Sequence, residues 1–104
     1  MKKGTIDLAE GLYLPSASGE KAFRPIITIQ MTSADLSAET AWNLQLSAGD
    51  DVWAQATDTA GEDIAGTLAA NTPKIVTWEL DNSLLYRIVF AAGNTGSVAY
   101  IIMQ

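Results

Sequence analysis

A chain of 104 residues with neither cysteine nor histidine holds one domain, and it has no disulfide, thiolate ligand or imidazole to work with. Its 48% hydrophobic and 17% charged content suffices for a core without staples and excludes intrinsic disorder. Twelve acidic against six basic side chains give a formal net charge of −6, which repels phosphate backbones and anionic lipid and so sets nucleic acid and membrane aside as partners.

Lys2 and Lys3 open the chain, but Gly4, Asp7 and Glu10 interrupt any apolar run behind them, so no signal peptide is expected. The stretch 1–21 reads as a looser N-terminal arm or weak first strand ahead of a β domain over 22–104. Gly11, Pro15, Ser16, Ser18 and Gly19 break its apolar residues, and Leu12, Tyr13 and Leu14 form a small adhesive patch. Runs rich in β-branched and aromatic residues predict strands over 5–9, 26–31, 40–46, 52–57, 75–80, 84–90 and 97–103, with a weaker one inside 64–69. Pro25 prevents 23–31 from being one unbroken central strand, since it has no N–H for the ladder. Turn chemistry separates the strands at Ser47-Ala48-Gly49-Asp50, Asn71-Thr72-Pro73, Asp81-Asn82-Ser83 and Gly93-Asn94-Thr95-Gly96. A short helix over 62–70 is conceivable, but Gly66 weakens it and no 3.6-residue apolar stripe lasts three turns. Even spacing of seven or eight strands predicts an all-β antiparallel sandwich, jelly-roll-like ahead of immunoglobulin-like.

Alternation assigns faces. Trp42, Leu44 and Leu46 share one side of their strand, Val76, Trp78 and Leu80 another, and Ile27, Ile29 and Met31 a third. Tyr86 and Phe90 share parity with Leu84 and Ile88, which makes them core. The last two strands are apolar on both sides apart from Arg87, and the link 91–96 makes them read as a hairpin. Their second faces then need cover from the N-terminal segment or another molecule. Arg87 needs a carboxylate or an interface, because an unpartnered buried guanidinium is too costly.

Catalytic equipment is missing. Without His or Cys, and without a Gly-x-Ser-x-Gly elbow, no serine has a base at hand. Nothing in the spacing supports a Ser–Lys pair. Asp50-Asp51 and Glu62-Asp63 are adjacent acids in turn-like segments, which read as solvated loop residues rather than a glycosidase pair. The expectation is a protein that is not an enzyme and carries no cofactor. Asp58, Glu62 and Asp63 around Gly61 are a weak calcium candidate, since the loop lacks the full alternating pattern and its distal glutamate. Trp53 shares a strand face with Gln55 and Thr57, opposite Val52, Ala54 and Ala56. It is either a tryptophan on a polar face, suited to a partner or a sugar, or the core side of a strand whose alanines mark a close crossing.

The stretch from Tyr86 to Tyr100, with the run from Trp42 to Thr57, resembles the texture of short bacteriophage virion proteins, small acidic β-sandwiches that decorate or cement capsids or serve as tail accessories. The resemblance covers about the C-terminal two-thirds of the chain and carries over no functional residue. It implies a structural protein of a phage particle, a capsid decoration or cement protein ahead of a tail accessory. Such a protein is made in the host cytoplasm and found in the virion. It binds repeated surfaces of other virion proteins as a homo-oligomer, commonly a trimer. Contact candidates from the residues themselves are Leu12, Tyr13, Leu14, Trp53, Arg87, Ile101 and Met103. The alternative is a carbohydrate-binding, lectin-like sandwich with Trp53 and Tyr13 as stacking platforms.

Overall fold

Ten strands carry the alternation seen in the sequence, in a computed structural model that describes residues 1–79 and 84–104. They are β1 (Lys2–Asp7), β2 (Tyr13–Leu14), β3 (Glu20–Lys21), β4 (Ile26–Thr32), β5 (Thr40–Ser47), β6 (Ala54–Gln55), β7 (Ala65–Leu68), β8 (Lys74–Glu79), β9 (Leu85–Phe90) and β10 (Ser97–Met103). Seven have four or more residues and three have only two. The fold is all-β: two antiparallel sheets packed face to face as a sandwich, without barrel closure. One sheet has the order β1-β10-β4-β8. The other is built on β9 and β5, with β2 and β3 along the free side of β9 and β6 and β7 along the free side of β5.

Residues that alternate inward fill the space between the sheets. Ile27, Ile29 and Met31 enter from β4 and Val98, Tyr100 and Ile102 from β10, facing Trp42 and Leu44 from β5 and Tyr86, Ile88 and Phe90 from β9. β4 begins directly after Pro25, as the missing N–H requires. The segment 62–70 holds no helix: Ala65–Leu68 within it form β7, which pairs antiparallel with β5.

Four expectations change. The stretch 1–21 contributes strands to both sheets: β1 pairs with β10 over six residues, and β2 and β3 pair with β9. The first strand is Lys2–Asp7 rather than 5–9, because Leu8 turns down into the core. Over 52–57 only Ala54–Gln55 is strand. The expected β9–β10 hairpin does not form, since the link 91–96 crosses from one sheet to the other. β9 is flanked by β5 and by β2 and β3, and β10 by β1 and β4. Both strands therefore bury one face in the same interior from opposite sides. Leu80 and the expected turn Asp81-Asn82-Ser83 lie outside the described residues.

The two ends of the sandwich differ in construction. At one end, backbone bonds tie successive connections together: Leu8 N–H to Gly96 O (2.9 Å), Ser37 N–H to Thr95 O (3.0 Å) and Asn71 N–H to Ser33 O (2.7 Å). Asp35 sits in this web, accepting from the Ser97 backbone N–H at 3.0 Å and the Ser33 hydroxyl at 3.3 Å. At the other end lie the chain termini, the 22–25 connection and the 48–53 connection. There Gln104 accepts from Phe23 N–H (3.0 Å) and donates to the Tyr86 hydroxyl (3.0 Å), joining the two sheets. Burial pushes the Tyr86 phenol above its ordinary value, and the Gln104 bond opposes that shift.

Candidate functional site

Large apolar side chains that remain exposed mark a surface the fold has not used. Among the described residues there are six: Met1, Phe23, Ile26, Val52, Ile75 and Met103. Five of them gather at the end that holds the termini, and the topology explains why. β10 ends at Met103 and β1 begins at Lys2, antiparallel to it, which brings Met1 beside Met103. Ile26 opens β4 two residues before Thr28, the register partner of Met103. Phe23 lies in the connection bonded to Gln104, and Val52 in the connection leaving β5 beside Leu85. Phe23 is 62% exposed, Ile26 52% and Met103 56%. Lys2, Lys3, Lys21 and Arg24, four of the six basic residues, stand at the same end and alternate with Glu20, Asp50, Asp51 and Glu79. An apolar centre with a mixed polar rim is the anatomy of a protein contact. The Lys2 ammonium donates to Glu20 at 2.7 Å, which raises the lysine pKa and links β1 to β3 across the sheets.

Three of the expected contact residues come together elsewhere, on the outer face of the six-stranded sheet. Tyr13 and Arg87 point outward from β2 and β9, and Trp53 leans over from the start of β6. The Arg87 guanidinium carbon lies 4.1 Å from the Tyr13 ring centre and 4.0 Å from that of Trp53, so the cation is held between two aromatic faces. Its Nε donates to Gln45 at 2.8 Å and another nitrogen donates to Ala17 O at 2.6 Å. Trp53 donates its indole N–H to Asp51 at 3.2 Å, and a Cβ at Gly19 would sit 2.5 Å from its ring. All three residues are half-buried. Among the described residues Arg87 has no carboxylate within ion-pair distance. The aromatic rings and two neutral acceptors replace the expected ion pair. Each ring gives one face to the guanidinium.

The other candidates separate. Leu14 is fully buried, the inward neighbour of Tyr13, so it is core and no part of an outer contact. Leu12 is half-buried against that core. Ile101 and Met103 face outward from β10, Ile101 half-covered between Lys3 and Gln30, Met103 open. Asp58 is used locally: one carboxylate oxygen accepts from Ala60 N–H (2.9 Å) and Glu62 N–H (3.0 Å). Among the described residues no group of carboxylates, including Asp58, Glu62 and Asp63, converges as metal ligands would. The calcium candidate is a turn capped by its own aspartate.

The comparisons with known proteins leave the chain by itself: no family model matches it, and neither a curated protein nor a solved structure matches it significantly. The site therefore rests on geometry. Sequence reading missed Met1, Phe23, Ile26 and Val52. The signal for Ile26 was present, since it opposes the inward parity of Ile27, Ile29 and Met31. Phe23 and Val52 lie in connections, where periodicity carries no information.

Proposed function

We propose that the chain is a non-enzymatic structural protein of a phage particle, a decoration or cement protein that seats one end of its sandwich on a repeated protein surface and assembles as a homo-oligomer. The gathering of Met1, Phe23, Ile26, Val52 and Met103 at one end carries this reading. A small acidic monomer gains nothing from placing nearly all of its exposed large apolar residues together. The opposite end has a hydrogen-bonded web and the acids Asp7, Glu10, Asp35 and Glu39. Among the described residues Ile75, on β8 beside Gln30, is the one exposed large apolar residue that stands away from the termini.

We infer further that the sandwich is a jelly roll. If β2 with β3 and β6 with β7 each count as one broken strand, eight strands remain. In chain order they fall on the first sheet, the second, the first, twice on the second, the first, the second and the first. Sheet orders 1-8-3-6 and 2-7-4-5 follow from that count, which supports two interlocked Greek keys. Jelly rolls serve in shells and in lectins alike, so the surface and not the fold carries the functional reading.

The deciding experiment is the solution molar mass of the purified chain and of an Ile26→Glu/Met103→Glu double variant, by size exclusion with light scattering. The expected outcome is a closed oligomer that the double variant turns into a folded monomer with unchanged far-UV circular dichroism. A wild-type chain that stays monomeric at high concentration, with the variant indistinguishable from it, would overturn the assignment of this end.

A further inference from the structure

A cleft of about 730 Å³ lies along one side of the sandwich, between β8, the free edge of the four-stranded sheet, and β7 with the segment before it. Trp42 and Trp78 line its floor, with Gly66, Asp63, Lys74 and Glu79 among the other lining residues. The volume is that of a small-molecule site. A second observation concerns the same two tryptophans. Their indole N–H groups are the buried side-chain polar groups that have no hydrogen-bond partner among the described residues. Trp42 is 3% exposed and Trp78 6%. Orphaned donors of this kind are rare in a finished core, because water was given up and nothing was gained for it. Here both belong to residues of one cleft. Trp42 also turns its nitrogen edge to Gly66, its partner on β7: a Cβ there would lie 2.9 Å from Cζ2 and 3.4 Å from Nε1. Gly66 itself lines the cleft, and a side chain there would press on that edge of the ring.

We propose that this cleft binds a neutral, hydroxyl-rich ligand of the carbohydrate class, a function beyond the structural role above. The lining sets the chemistry. Two indole N–H groups and the Lys74 ammonium require oxygen acceptors, while the Asp63 and Glu79 carboxylates require donors. A hydroxyl is both. An anion meets three carboxylates, Asp58 included, against one lysine, and a cation leaves both indoles without a partner. The free edge of β8 adds backbone donors and acceptors of the same neutral kind. The Tyr13–Arg87–Trp53 stack, already filled by its own cation, takes no part.

Three tryptophans give three indole resonances in a nitrogen-15 proton correlation spectrum of the full chain, and Trp53→Phe identifies its own. Titration with maltotriose, cellotriose and chitotriose at millimolar concentration is expected to shift the Trp42 and Trp78 signals saturably with at least one sugar, leaving Trp53 unmoved. Asp63→Asn with Glu79→Gln, two surface changes that leave the core intact, is expected to weaken that binding about tenfold. Trp78→Phe assigns the remaining pair by the loss of its own resonance, and it is expected to weaken the sugar-dependent shift of Trp42. If neither indole moves with any sugar, if Trp53 alone moves, or if the double variant binds as tightly as the wild type, the proposal is overturned.

Discussion

Arg87 shows how one residue on a sheet face can be held without a counter-ion. Its guanidinium is planar, so it stacks between Tyr13 and Trp53 while its edge donates to Gln45 and Ala17. A lysine there keeps the charge and loses both the flat faces and the fork. Arg87→Lys is therefore expected to cost about 1–2 kcal/mol in urea unfolding, with a change in Trp53 fluorescence. A loss no larger than that of an ordinary exposed lysine substitution would mean the stack contributes little. Asp35 poses a question of pH. Its carboxyl is held below its ordinary 3.8, first by the Ser97 backbone N–H and then by the Ser33 and Ser97 hydroxyls. A depressed carboxylate stabilises the folded chain above its unfolded pKa, and that contribution is lost as pH falls through the folded value. Asp35→Asn is expected to melt below the wild type at neutral pH, with the gap closing as pH drops below 3.8. Melting curves across that range test it, and a gap independent of pH would assign the effect to something other than charge.

At the scale of elements, β9 and β10 show where reading strands from alternation stops. Their inward residues, Tyr86, Ile88 and Phe90 on one and Val98, Tyr100 and Ile102 on the other, were legible from parity. Which sheet each joins was not, because alternation records that a face is buried and says nothing of which side of the core it approaches from. The link between them depends on backbone that few residues tolerate. Gly96 has φ of +117°, and a Cβ there would lie 2.6 Å from the carbonyl oxygen of Asp35. Gly96→Ala meets strain and collision together, in the web that joins Leu8, Asp35 and Ser97. It is expected to cost about 1–3 kcal/mol, read as a lower urea midpoint with an unchanged slope. An unaffected midpoint would show that the crossover can relax freely. The expected turn at Gly93-Asn94-Thr95-Gly96 is real in its residues, since Gly93 also has positive φ, but it turns between sheets.

For the whole molecule, composition and period were enough to settle the class. The absence of cysteine and histidine, the even spacing of apolar runs and the inward parity of Ile27, Ile29, Met31, Trp42 and Leu44 all follow from local chemistry, and the all-β sandwich agrees with them. What only the tertiary structure decided is adjacency between residues distant along the chain. Met1, Phe23, Ile26, Val52 and Met103 share one end because antiparallel pairing returns β1, β4, β5 and β10 to it. Tyr13, Trp53 and Arg87, each singled out alone in the sequence, meet because β2, β9 and β5 lie side by side. Trp42 and Trp78 are both core by parity, and their shared cleft exists because β7 and β8 end as the free edges of opposite sheets. Burial is a property of a residue and its near neighbours, so a period reveals it. A site is a property of which strands lie beside one another, and that is fixed only when the two sheets close on a common core.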